Sequence, residues 1–177
     1  MKKPTQQIFL WGMMGAGKTF TGKTLAAHLG WAFVDLDAYI EQLHRMKISD
    51  MFALPNGAQA FRKRETQALQ QLLARPKTVV ALGGGTPCFE PNLSLLLKVG
   101  ATGGLNVFVN PPFGVLYERV LADWYQHPNA RPLLAAAESP EELRAILYDL
   151  YLRRYPVYTQ ADREWDNSLS LNTYLKF

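Results

Sequence analysis

Residues 8 to 19, Ile8-Phe9-Leu10-Trp11-Gly12-Met13-Met14-Gly15-Ala16-Gly17-Lys18-Thr19, decide how the rest of the chain is read. Ile8 to Trp11 is a short, unbroken apolar run, the pattern of a strand buried on both faces. Gly12 to Thr19 then fits G-x-x-x-x-G-K-[ST] in full. The motif lies where it functions, after a buried strand and at the start of a helix. Its glycines let successive backbone N–H groups turn inward and cradle phosphate oxygens, and the helix N-terminus adds positive partial charge. Lys18 is expected to reach the β- and γ-phosphates, and the Thr19 hydroxyl to ligate Mg²⁺. The stretch predicts a nucleoside triphosphate site; a tight glycine turn without a ligand is the plainer alternative.

Outward from this loop, strand and helix patterns alternate. Lys18 to Leu29 reads as a helix stopped by Gly30, and Trp31 to Val34 as a second strand ending at Asp35-Leu36-Asp37. A helix follows with Tyr39, Ile40 and Leu43 on one face. Ser49 is the expected N-cap of a short helix through Phe52, Pro55-Asn56-Gly57 a turn, and Ala58 to Leu73 a longer amphipathic helix. Thr78 to Leu82 is the third strand, closed by Gly83-Gly84-Gly85. Pro91 starts a helix that ends near Gly100, Leu105 to Val109 is a fourth strand, and a helix runs from about Pro112 into Leu121.

Asp123 to Ala137 reads as irregular, a candidate mobile lid. Ser139-Pro140-Glu141-Glu142 opens another helix, with Ser as N-cap, Pro first and Glu third. Arg163 to Asp166 reads as a short fifth strand, followed by a brief helical tail. The alternation predicts an α/β fold with a parallel sheet. No linker divides the chain, so residues 1–177 are expected to form a single domain.

Composition narrows the function classes. The 177 residues are 48% hydrophobic and 19% charged, enough for one domain with a real core. The lone cysteine, Cys88, excludes an internal disulfide framework, and with three scattered histidines it offers no metal-ligand cluster. The net charge of +4 is too small to argue for a nucleic-acid surface and suits a small anionic ligand equally well. Met1-Lys2-Lys3 before an apolar run has the outline of a secretory leader. However, glycines break the run, and it is too short to span a bilayer. The expectation is a cytoplasmic protein with no membrane partner.

Other residues carry chemistry only in combination. Asp35 and Asp37, at the C-terminal end of the second strand, stand at the edge where open parallel sheets collect ligands. Two residues apart on an extended chain, one would face a metal and the other a second substrate. Alternatively, they are turn or N-cap aspartates. Arg62 and Glu65 share a helix face, as a functional pair or as a solvated ion pair. Gly83-Gly84-Gly85 allows close backbone approach to a ligand, or marks a flexible strand end. Arg131 lies in the candidate lid, and Arg154 is a candidate anion binder or plain surface charge.

Taken in order, these residues resemble the shikimate kinase family. The likeness extends from about Ile8 to Asp162. It rests on the glycine loop, Phe33-x-Asp35-x-Asp37-x-x-Ile40-Glu41, Ile48-x-x-x-Phe52, Phe61-Arg62-x-x-Glu65 and Gly83-Gly84-Gly85. Arg131-Pro132-Leu133-Leu134, Arg154-x-Pro156-x-Tyr158 and Ala161-Asp162 complete the series. The resemblance implies a three-layer P-loop kinase fold, with a five-stranded parallel sheet in 2-3-1-4-5 order between helices and a mobile lid. It implies transfer of the γ-phosphoryl of ATP to the 3-hydroxyl of shikimate, a step of aromatic amino-acid biosynthesis, with Mg²⁺ as cofactor.

Carried onto matching positions, Gly15, Ala16, Gly17, Lys18, Thr19 and Phe20 would bind ATP, with Arg119 near adenine and Arg131 closing over the phosphates. Lys18, Asp37 and Arg131 would be catalytic. Asp37, Arg62, Gly84, Gly85 and Arg154 would bind shikimate within a region of about residues 35–65 and beyond, with Glu65 orienting Arg62. Thr19 and Asp35 would serve the metal, Asp35 through water. The partners would be these small molecules alone, bound by a monomer. The readings held beside this one are a related small-molecule kinase of the gluconate type and a non-catalytic nucleotide-binding derivative. The chain departs from the family pattern at Ala58, usually Glu, at Phe20, usually a small hydroxyl residue, and at Arg45, commonly glycine. Its lid is also about five residues longer than is usual for the family.

Overall fold

The computed structural model describes residues 7–127 and 131–166. Its centre is a parallel sheet of five strands: β1 (Gln7–Trp11), β2 (Ala32–Asp35), β3 (Thr78–Ala81), β4 (Gly104–Val109) and β5 (Arg163–Trp165). The strand order is β2-β3-β1-β4-β5. β1 is central because it is apolar from Ile8 to Trp11 and buried along its whole length, pairing with β3 on one side and β4 on the other. The chain reverses its direction of winding around β1, and the crevice outside the strand ends at that point is where ligands bind in such sheets.

Among the described residues seven α-helices accompany the strands: α1 (Lys18–Leu29), α2 (Leu36–His44), α3 (Ile48–Ala53), α4 (Gly57–Leu73), α5 (Glu90–Leu97), α6 (Phe113–Gln126) and α7 (Pro140–Tyr158). Alternate residues of β1 serve two cores. Phe9 and Trp11 join Phe61, Leu69, Phe108 and Leu147 on one face, and Ile8 and Leu10 join Leu25, Val107 and Trp165 on the other. The helices α2, α4 and α7 close the first face, and α1 closes the second. Among the described residues no helix is long and apolar enough to cross a membrane.

The structure departs from the sequence reading in several places. Ser49 does not cap α3: Lys47 holds that position without a side-chain bond, and the Ser49 hydroxyl points to Asp50. The helix expected to end near Gly100 stops at Leu97, and Val99–Thr102 tightens into a 3₁₀ turn before left-handed Gly103. The segment from Asp123 onward is not wholly irregular. α6 runs on to Gln126 because Trp124 packs against the main core, and only then does the helical pattern break. Pro132–Leu134 forms one 3₁₀ turn with Leu134 buried.

The α7 reading holds in detail. The Ser139 hydroxyl accepts from Glu142 N at 3.2 Å, and the Glu142 carboxylate accepts from Glu138 N at 2.8 Å. The expected helical tail lies outside the described residues.

Candidate active site

Three connecting segments, after β1, β2 and β3, meet at the C-terminal edge of the sheet, joined there by side chains from α4, α6 and α7. The loop after β1 runs over Gly12–Gly17 into α1, whose first residue, Lys18, is buried. Its ammonium donates to the carbonyls of Gly12 and Met13, both at 2.8 Å, so it is folded onto the loop it would use to hold phosphate. Burial draws the Lys18 pKa down to about 8, against the pull of Asp37 and Asp35, which favour the charged form. Arg119, on α6, lies across the same loop and donates to the Gly15 and Ala16 carbonyls at 3.2 and 3.3 Å. Phe20 stands out from α1 and is 78% exposed.

The two aspartates divide their work differently from the alternation argument. β2 ends at Asp35, so Asp37 sits in the first turn of α2 and not on an extended chain. Asp35 is the N-cap: its Oδ1 accepts from the backbone N–H of Asp37 and Ala38 at 3.1 and 3.3 Å. Its other oxygen, Oδ2, accepts from the Thr19 hydroxyl at 2.8 Å. One carboxylate thereby fixes the start of α2 and ties it to the phosphate loop. Asp37 is left free to face inward. Burial, with added repulsion from Asp35 and Glu65, pushes its pKa up to about 6, while Lys18 and Arg62 pull the other way.

The Gly83–Gly85 run after β3 explains itself by what surrounds it. A Cβ on Gly83 would lie 2.8 Å from Asp37 Oδ1, one on Gly84 3.1 Å from Arg154 Nη1, and one on Gly85 2.5 Å from Arg62 Nη2. Three successive residues lack side chains because three polar side chains from α2, α7 and α4 crowd against them. Arg154 Nη1 is buried and has no hydrogen-bond partner among the described residues. A buried guanidinium nitrogen without an acceptor is costly unless a ligand supplies one.

Arg62 is held from behind. Its Nη1 donates to Glu65 Oε2 at 2.6 Å, and Glu65 is 1% exposed. Glu65 also accepts from the Thr86 hydroxyl at 2.6 Å and from Asn92 Nδ2 at 3.1 Å. The pair is therefore not a solvated surface bridge. Its carboxylate is buried and satisfied by three donors, and Arg62 is its outward-facing end.

Thr86 and Asn92 escaped the sequence reading, although an amide between Pro91 and a run of leucines is a visible oddity. Asp123 escaped it too, with no signal to find it by. Its Oδ2 accepts from Arg131 Nε at 2.9 Å and lies 2.8 Å from Arg131 Nη2. The expected site residues thus gather around the phosphate loop, the glycine run and the start of α2, with Phe20 turned outward and Arg131 paired with Asp123 while its charge still acts on Lys18.

The arrangement combines a phosphate cradle, a guanidinium with one unpaired buried nitrogen and a carboxylate of raised pKa at one sheet edge. Residues 14–173 match the family model described as shikimate kinase. The chain belongs to the shikimate kinase family. It is a phosphotransferase with an alcohol group as acceptor, built on the P-loop kinase fold.

Among relatives, the shikimate kinase of Azobacteroides pseudotrichonymphae genomovar. CFP2 is 36% identical over 157 residues, covering 88% of this chain and 86% of that protein. That of Rhizobium meliloti is 39% identical, covering 85% of this chain and 71% of the other. Among solved structures, the shikimate kinase from Acinetobacter baumannii in complex with shikimate superposes with a TM-score of 0.78 at 34% identity. The match covers 93% of this chain and 85% of that one. The shikimate kinase from Aquifex aeolicus gives 0.71 at 28% identity, over 92% and 88%. The strand order implied by the family resemblance is the order observed.

The glycine run gives a direct prediction. Gly85→Ala would drive a methyl group to within 2.5 Å of the Arg62 guanidinium, which must shift. The acceptor KM is expected to rise about tenfold or more while the ATP KM stays within about twofold, measured by steady-state kinetics.

Proposed function

We propose that this chain transfers the γ-phosphoryl of ATP to the 3-hydroxyl of shikimate, with its carboxylate held between Arg62 and Arg154. The observation that supports this most directly is the meeting of Asp37, Arg154 and Arg62 on three consecutive glycines. Two guanidiniums suit a planar carboxylate, because each offers a fork of donors. Glu65 fixes the direction of one fork. Gly84 and Gly85 let both guanidiniums come close against the backbone that would face the acceptor.

In the reaction, Asp37 accepts the proton of the attacking hydroxyl, whose oxygen forms the new bond to the γ-phosphorus as the bond to the ADP oxygen breaks. A carboxylate with its pKa near 6 is ionised at neutral pH yet more basic than an ordinary aspartate, as a general base should be. The backbone N–H groups from Gly15 to Thr19 and the Lys18 ammonium hold the phosphates, Lys18 exchanging its carbonyl partners for phosphate oxygens. Arg131 offsets charge as the phosphoryl group transfers, once it exchanges Asp123 for phosphate. Arg119 faces the nucleotide side of the loop, and Phe20 replaces a hydroxyl contact to the α-phosphate with an exposed ring.

Thr19 and Asp35 would hold Mg²⁺. Their two oxygens already meet at 2.8 Å beside the phosphate loop. The described residues hold no cluster of three or more His, Cys, Asp or Glu side chains. The donor set still fits, because Mg²⁺ keeps several waters and binds phosphate with only one or two protein ligands. When bound, the ion neutralises charge on the β- and γ-phosphates. We place this activity in a monomer in the cytoplasm, with ATP and shikimate as its only partners.

The test is ADP release in a coupled assay with ATP and Mg²⁺, with and without shikimate. Turnover that requires shikimate supports the proposal. Turnover with gluconate in its place, or nucleotide binding with no acceptor turnover at all, would sink it in favour of a related kinase or a non-catalytic derivative.

A further inference from the structure

Tyr158, the last residue of α7, has no part in the reaction described above, yet it touches two of the site's segments at once. Its side chain is fully buried, with its ring against Phe108 at 5.1 Å between centroids. Its hydroxyl donates to the Gly84 carbonyl and lies 3.6 Å from Met13 Sδ in the phosphate loop. Tyr158 is also four residues beyond Arg154, on the same face of one helix. A single hydroxyl therefore joins α7, the glycine run and the phosphate loop. Burial raises its pKa far above the ordinary phenol range, which keeps it a donor.

We propose that Tyr158 is a positioning residue for the acceptor, its hydroxyl docking α7 onto Gly84 so that Arg154 and the Gly84–Gly85 peptide meet the acceptor carboxylate together. The peptide unit is planar and trans, so its N–H points opposite to its carbonyl. Anchoring the Gly84 carbonyl to Tyr158 aims the Gly85 N–H away from the helix. The same bond sets the depth at which α7 sits. The Arg154 guanidinium, 3.1 Å from the position of a Cβ on Gly84, follows that depth. Without the bond the carbonyl loses its buried donor, and the peptide can rotate toward another partner. The inference rests on the reading of Arg62, Arg154 and the glycines as the acceptor site.

Packing alone would also bury a tyrosine here, and Tyr158→Phe separates the two roles. The variant keeps the ring, its volume and its contact with Phe108, and loses only what the hydroxyl makes: the bond to Gly84, the contact with Met13 and the interaction with the Arg154 side chain. The expected result is a rise of about tenfold in the shikimate KM, with the ATP KM within about twofold of wild type. The double variant Tyr158→Phe with Arg154→Gln is expected to show a shikimate KM well below the product of the two single effects, since both act through one contact. An unchanged shikimate KM, an equal rise in both KM values, or fully multiplicative effects would each overturn the role of Tyr158. Absence of shikimate-dependent turnover in the wild type would instead overturn the acceptor-site reading itself, so the two failures are told apart.

Discussion

Asp37→Asn is expected to lower turnover by about a thousandfold while leaving ATP affinity within about twofold, as judged by coupled ADP release and nucleotide titration. The amide has nearly the shape of the carboxylate but cannot take the proton of the acceptor hydroxyl. The phosphate cradle is built from Gly12–Thr19 and does not depend on Asp37 for any hydrogen bond the structure records.

The same substitution is expected to stabilise the ligand-free protein, and the sign follows from the environment. Asp37 is desolvated and lies near Asp35 and Glu65, so the folded chain holds its proton more tightly than the unfolded chain does, up to about pH 6 in place of 3.8. Wild-type stability from this group is therefore present at low pH and is lost as pH rises through about 6. Above that pH the variant should melt higher than wild type, by an amount on the order of 2 kcal/mol, and the gap should close by about pH 4. Thermal melts at the two pH values check it. A site residue that costs stability in order to act is the usual trade at catalytic positions.

Glu65→Ala is expected to have the largest effect on stability, on the order of 3 kcal/mol or more, read from denaturant midpoints. The truncation strands three donors at once: Arg62 Nη1, the Thr86 hydroxyl and Asn92 Nδ2. Arg62 also loses the partner that directs it, so the acceptor KM should rise by more than about tenfold even where folded protein is recovered.

Glu65→Gln makes the test specific. Its carbonyl oxygen can take the place of Oε2, facing Arg62 and Asn92, and its amide can donate to the Thr86 hydroxyl, which both donates and accepts. That variant should stay close to wild type in stability and lose affinity for the acceptor, because the neutral amide holds a guanidinium less firmly. Equal stability losses in the two variants would show that the charge, and not the hydrogen-bond count, holds this part of the core.

How much of this was legible before the structure depends on the kind of feature. The phosphate loop was legible because its function is local: backbone N–H groups, a lysine and a hydroxyl within eight residues, between an apolar strand and a helix. The Ser139 cap was legible for the same reason. Ser49 was not, because capping depends on which residue stands at the helix boundary, and the chain enters α3 two residues earlier, with Lys47 as the cap. The aspartates were half legible. Their place at the strand end could be read, but their division of labour turned on where α2 begins: it starts at Leu36, directly after β2, so Asp37 lies in its first turn and not on an extended chain.

The sequence by itself determined the fold class, the phosphate loop, the strand order through its family resemblance, and the identity of nearly every polar residue now found around the crevice. These follow from local patterns of period and spacing, which a linear reading can see. Only the tertiary structure decided what the glycine run is for, since Asp37, Arg62 and Arg154 come from three different helices and meet there only after the sheet has formed. It also decided that Glu65 is buried among Thr86 and Asn92, and that Arg131 rests on Asp123. The physical reason is the same throughout. Burial and the supply of hydrogen-bond partners come from groups distant in the chain, and those two quantities set whether a charged residue is a solvated bystander or part of the site.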